Sequence, residues 1–202
     1  MTPAFLRYSW GLVLVLLDIR IQYFDILVDF IGYALIISAI KQLARFRSGY
    51  GKGLVWAWLL LILSLQEIVP VLGEPVAITG QPAIPTVPML LYGALVMLLT
   101  WIMVHQLLTE MLQHARDVQR RHFAHAIENR RLAYGFVSAA ALLYMPFTLN
   151  GTENVNVLLP LLLTFSGLLA QIVIIFTCRR AANELRLPVL PEPPLDSDDV
   201  PS

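Results

Sequence analysis

Cysteine is almost missing from this chain: Cys178 is the single one in 202 residues. One thiol excludes an intramolecular disulfide and any thiolate metal cluster within one chain. Beside Arg179 and Arg180, at the end of an apolar run, Cys178 reads as a packing residue. Charge is also scarce, at 14% of residues with a formal net charge of zero. No global field therefore argues for nucleic acid or an acidic partner. Enzyme motifs are missing as well: there is no His-Glu-x-x-His, no Gly-x-Ser-x-Gly and no phosphate-binding glycine loop. Tyr23-Phe24-Asp25 has no Gly-x-Gly-Asp partner of the kind an intramembrane aspartyl protease carries. His122, His125 and Glu128 share i, i+3, i+6 spacing, but without a second cluster they read as a solvated face, not a metal site. His105 reads as a residue hydrogen-bonded to a neighbouring helix. No cofactor is expected.

What the chain has instead is apolar length. It is 57% hydrophobic with a mean hydropathy of +0.69, where a soluble domain is about 45–50% apolar and about 25% charged. Residues 53–65, 88–104, 132–150 and 154–178 carry no Asp, Glu, Lys or Arg. A bilayer core takes roughly 20 mostly apolar helical residues to cross. The expected fold is all-α, a polytopic transmembrane bundle of three consecutive helical hairpins with elements near 4–18, 25–44, 53–72, 88–112, 132–149 and 155–178, the first one short. The bundle should occupy residues 1–186. The tail 187–202, with Pro188, Pro191, Pro193, Pro194 and four acids, reads as disordered. Between the third and fourth elements, 73–88 holds four prolines and favours an extended loop. Arg7 followed by Trp10–Leu17 imitates a signal peptide, but Asp18-Ile19-Arg20 replaces a small-residue cleavage site, so the segment should be retained.

Orientation follows from Lys and Arg. They collect at Lys41, Arg45, Arg47 and Lys52, at Arg116, Arg120, Arg121, Arg130 and Arg131, and at Arg179, Arg180 and Arg186, whereas 73–87 and 150–154 have none. The basic loops and both termini should face the cytoplasm of a cell whose plasma membrane holds the protein. Residues 113–131 lack Gly and Pro, so elements four and five should continue as helical stalks, Val118, Phe123 and Ile127 making too thin an apolar face for a surface helix. Gly135/Ala139 and Gly167/Ala170 suggest close helix packing, and Trp10, Trp56, Trp58 and Trp101 an aromatic belt.

The polar residues Asp18, Arg20, Asp25 and Asp29 interrupt the first two elements. From Arg7 to Asp18, and again from Asp29 to Lys41, the uncharged run is about 15–16 Å of helix, half of the roughly 30 Å hydrocarbon core. Either this hairpin enters the bilayer part way, or it spans with charges at depth. Asp25 suits an N-cap and Asp29 the first turn of element two. The alternative is a buried site in which Asp25 and Asp29 face a cavity with Arg20 as counter-ion. Glu67, one turn before Pro70, belongs on the same side as Arg20, and an Arg20–Glu67 pair is possible.

Residues 17–36, Leu-Asp-Ile-Arg-Ile-x-x-Phe-Asp-Ile-Leu-x-Asp-Phe-Ile-Gly-Tyr-x-Leu-Ile, resemble the N-terminal signature of an uncharacterised family of small multi-pass membrane proteins from Gram-positive spore-forming bacteria. Val28 stands where that family usually has proline. The resemblance implies a bacterial plasma membrane and no activity. The expectation is a non-enzymatic membrane protein whose partners are the bilayer and either another membrane protein or its own copies. Asp18, Arg20, Asp25, Asp29 and Glu67 would form a patch for a partner or small ligand. The alternative is a small transporter or channel subunit handling cations or protons through these carboxylates.

Overall fold

The computed structural model describes residues 2–16, 25–65, 87–149 and 158–185. Among them are six α-helices and no strand: α1 (Thr2–Leu16), α2 (Asp25–Phe46), α3 (Leu54–Ser64), α4 (Val87–Asp117), α5 (Arg121–Tyr144) and α6 (Leu158–Glu184). Short 3-10 segments, Ser48–Gly53 and Met145–Leu149, precede α3 and follow α5. The tail 187–202 and the proline-rich loop lie outside the described residues.

Each helix buries one stripe at helical spacing. On α1 it is Ala4, Phe5, Tyr8 and Leu12; on α2 it is Tyr33, Ile36, Ile37, Ile40 and Leu43. On α4 it runs from Leu99 through Met103, Leu107 and Met111 to Ala115. Every helix packs against the next, and α6 packs back on α1, so the six form a closed ring. Helix continues past the apolar runs, as expected of elements four and five: α4 extends to Asp117 and α5 begins at Arg121, and Phe123 and Ile127 are buried in the bundle. The turn between them is a Schellman motif, in which Gln119 N–H donates to the Arg116 carbonyl and Arg120 N–H to the Ala115 carbonyl. Gln119 holds the left-handed position, at φ 59°, where glycine is usual.

α1 and α2 cross at two glycines. A Cβ on Gly11 would lie 2.6 Å from Ile36 Cγ1 and 2.8 Å from the Gly32 carbonyl oxygen, and one on Gly32 would lie 2.7 Å from Val15 Cγ2. Only the missing side chains let the two backbones approach this closely. Gly167, by contrast, has nothing within 4 Å of its would-be Cβ, so the close packing expected there does not occur.

The bundle has a charged end and an apolar end. At the charged end Arg47, Lys52, Glu110, Asp117, Arg116 and Glu128 pair with one another. One turn inward, Arg130 donates to Thr177 Oγ1 (2.8 Å), Arg131 to Thr109 Oγ1 (3.2 Å) and Arg179 to Ser9 Oγ (3.1 Å). From this arginine layer α4 rises about 33 Å to Val87 and α6 about 28 Å to Leu158, but α1 rises only about 10 Å to Leu16. The described part of the first hairpin is therefore short against the other helices. Above the layer the outer faces are apolar and bare, as at Leu91, Leu132, Phe136, Leu143, Leu161 and Phe165. Two helices, Leu90–Asp117 and Leu158–Glu184, are long and apolar enough to cross a membrane.

Candidate functional site

Beyond Leu16, where α1 ends among the described residues, the middle of the ring is left incompletely filled. A cavity of about 350 Å³ lies there, bordered by five of the six helices. Its polar lining is Asp29 and Tyr33 from α2, Thr100 from α4, Tyr134 and Ser138 from α5, and Gln171 from α6. Val15, Leu16, Val96, Met97 and Val137 supply the apolar part. Gly167 also borders it, which accounts for the empty space where its side chain would be.

Asp29 borders the cavity from the second turn of α2, which begins at Asp25. Gly32 sets the crossing with Gly11, and Asp29 lies three residues further toward the tip, about 8 Å above the arginine layer. Its Oδ1 is shielded from solvent. Asp29 is the one carboxylate among the lining residues, and its companions offer three hydroxyl types and an amide, groups that both donate and accept. Such a lining suits a polar ligand bearing a positive charge. On the neighbouring turns toward the charged end Tyr8, Leu12, Met103, Ile174 and Cys178 are all nearly or fully buried.

Of the residues named from sequence, Asp29 is thus placed in a cavity, on the first helical turns of α2. Asp25 is the first residue of α2, but its side chain lies outside the described residues. Asp18, Arg20 and Glu67, and with them the Arg20–Glu67 pair, also lie outside them. Among the described residues no group of three His, Cys, Asp or Glu is placed to hold a metal. His122 and His125 are exposed, and Glu128 pairs with Arg116 at 3.3 Å. His105 is exposed beside Trp101, with ring centres 6.2 Å apart. Cys178 is buried and free, in keeping with packing.

Tyr33, Thr100, Tyr134, Ser138 and Gln171 were not singled out from the sequence. Gln171 carried a signal, as an amide deep within the uncharged run 154–178, and Thr100 a weaker one in 88–104.

A second polar cluster, also missed, sits at the charged end. Glu110, with a side chain only 6% exposed, accepts from Lys52 Nζ at 3.3 Å and faces Arg47 Nε at 3.6 Å. Its carboxylate occupies the place where a Cβ on Gly49 would be, so a side chain there would displace the carboxylate from its present position. Arg47 also donates to Asp117 and, at 3.3 Å, to Gln113. The Asp117 hydrogen bond, helped by nearby Glu110, holds the Arg47 guanidinium above its ordinary value. Tyr50 is buried against Phe5, with its hydroxyl 3.3 Å from His114 Nδ1, and burial pushes that phenol up. Every charge here is matched within the protein. The cluster staples the 3-10 segment to α4 and offers no open coordination to a ligand.

Comparison with family models, with curated proteins and with solved structures finds no match.

Proposed function

We propose that this chain is a polytopic membrane protein of three consecutive helical hairpins, whose central cavity binds a small organic cation without turning it over chemically. The carrying observation is the cavity: one carboxylate, Asp29, set among Tyr33, Thr100, Tyr134, Ser138 and Gln171 in a space of about 350 Å³. Sites for small ligands are typically about 300–1,000 Å³, mostly apolar, with a few convergent polar groups. A carboxylate supplies the charge, and hydroxyl and amide oxygens accept from an ammonium or guanidinium.

The membrane setting is supported by two helices of spanning length and by bare Leu and Phe on the outer faces of α4, α5 and α6. Exposed apolar surface of this extent marks contact with lipid or protein. Lys and Arg crowd one end, which by the positive-inside rule is cytoplasmic. The plasma membrane of a bacterium is the location that the signature at residues 17–36 implies.

Cation conduction is the competing use of the same carboxylate. The turns between the cavity and the charged end carry the buried side chains Tyr8, Leu12, Met103, Ile174 and Cys178, which supports binding over conduction.

The test is calorimetric titration of the protein in lipid nanodiscs with tetramethylammonium, ethylammonium and guanidinium, with sodium as a control. At least one organic cation should bind with unit stoichiometry. Asp29→Asn should weaken it at least about tenfold through loss of the charge-assisted contact, and Gly167→Leu should block it by filling the cavity. Binding unaffected by both changes, or no binding by any of the three cations, would overturn the proposal.

A further inference from the structure

A second concave surface lies on the outside of the ring, between α2 and α3. It has a volume of about 470 Å³ and follows one face of α2 from Phe30 to Arg45, about 22 Å of helix. The two ends of this groove differ in chemistry. Toward the hairpin tip it is floored by Phe30, Ala34 and Ile37, with Leu61 of α3 opposite. Toward the charged end it is bordered by Ser38, Lys41, Gln42 and Arg45.

Lys41 and Arg45 are exposed, and neither takes part in the ion pairs seen among the described residues. They differ in this from Arg47 and Lys52 next to them, which are neutralised by Glu110 and Asp117. The Lys41 ammonium stands 5.4 Å from the centre of the Trp58 ring, which orients it over the groove mouth. Two uncompensated cations, two neutral hydrogen-bonding side chains and an interfacial tryptophan thus stand at one end of a continuous apolar trough. A phosphodiester satisfies the first set and a hydrocarbon chain the second.

We propose that the α2–α3 groove binds one anionic phospholipid of the cytoplasmic leaflet, its phosphate on Lys41 and Arg45 and an acyl chain along Phe30, Ala34, Ile37 and Leu61. This rests on the membrane setting proposed above but not on the cavity at Asp29. Basic pockets between helices on the cytoplasmic side recognise anionic headgroups in this way. The pairing of uncompensated cations with a continuous apolar trough selects a lipid, which carries an anion and a hydrocarbon chain in one molecule.

Trp58 is the built-in reporter, being 44% exposed at the groove mouth. The protein is reconstituted in phosphatidylcholine vesicles containing phosphatidylglycerol brominated on its acyl chains, or an equal fraction of brominated phosphatidylcholine. The Trp58 contribution is isolated by subtracting a Trp58→Phe variant. Brominated phosphatidylglycerol should quench Trp58 more strongly than its zwitterionic counterpart. Lys41→Gln and Arg45→Gln should each lower that preference roughly fivefold. Arg120→Gln with Arg121→Gln, which removes the same charge from the exposed α4–α5 turn, should leave it unchanged. Inorganic phosphate should not compete at concentrations matching the lipid. Equal quenching by both lipids, or shielding of Trp58 from both by a protein partner, overturns the lipid site and leaves the membrane setting intact. Failure of the protein to enter vesicles at all overturns both.

Discussion

Replacing Gly32 and Gly167 by alanine, one at a time, should move stability in opposite directions. Alanine is favoured over glycine in a helix by about 0.8–1.0 kcal/mol, whichever helix it sits in. At Gly32 the added methyl meets Val15 Cγ2 at 2.7 Å, the Gly11 carbonyl oxygen at 3.0 Å and the Val15 nitrogen at 3.2 Å. Two of those are backbone atoms that cannot rotate aside, so α1 and α2 must separate and lose contact along their length. Overpacking of this kind costs about 1–3 kcal/mol, which leaves a net loss of up to about 2 kcal/mol after the helix gain. At Gly167 nothing lies within 4 Å, and the gain of about 0.5–1 kcal/mol stands alone. In a chain of this size each kcal/mol shifts the melting temperature by about 2–4 °C, so the two variants should differ by roughly 1–12 °C. Thermal unfolding of the detergent-solubilised proteins, followed by intrinsic fluorescence, reads this directly. If Gly32→Ala melts at or above the wild type, the glycine crossing is wrong.

Three further outcomes follow from the charged end. Gln119→Gly should stabilise by about 1 kcal/mol, because the left-handed conformation at φ 59° costs a residue with a Cβ about 1–2 kcal/mol; a lower melting temperature would contradict the Schellman turn. Arg47→Gln should destabilise more than Lys52→Gln, since Arg47 serves both Glu110 and Asp117 with a side chain 30% exposed, while Lys52 serves Glu110 alone at 70% exposure. The Lys52 change should stay within the roughly 1 kcal/mol of a wet ion pair, and equal losses would refute the ranking. Tyr50 gives an alkaline limit. Its folded pKa is raised by burial, so its contribution is intact below the unfolded value near 10 and falls as pH rises above it. By pH 11 the wild type should lose about 1.4 kcal/mol more than Tyr50→Phe relative to their values at pH 9; parallel chemical-denaturation profiles for the two proteins would rule out a buried, neutral phenol.

The helical architecture was legible because apolar length and charge spacing are local properties. The continuity of α4 and α5 beyond their apolar runs followed from the lack of Gly and Pro in 113–131. The interest of Asp29 was also legible, from the short uncharged run to Lys41. Its companions were not, because Thr100, Tyr134 and Gln171 meet it only through the ring closure of α6 on α1, a tertiary contact that no local pattern encodes. The small-residue reading failed at Gly167, though not at Gly135, whose would-be Cβ lies 3.6 Å from Trp101 Nε1. Gly167 resembled a packing glycine but faces the cavity, while Gly11 and Gly32, which set the closest helix crossing, lie far apart in sequence and form no small-xxx-small pattern. Glu110 was overlooked for a similar reason. Its importance depends on Gly49, 61 positions away, having no side chain where the carboxylate lies.

The cavity, the lipid groove and the short hairpin all take their meaning from one claim, that the charged end faces the cytoplasm and the bundle above it crosses the membrane. Cysteine labelling in intact cells tests it most directly. In a Cys178→Ala background, Gln81→Cys should react with an impermeant maleimide added from outside. Gln119→Cys, on the exposed α4–α5 turn, should react only after the cells are permeabilised. Labelling of Gln119→Cys from outside with none at Gln81→Cys, or recovery of the protein in the soluble fraction, would contradict the account.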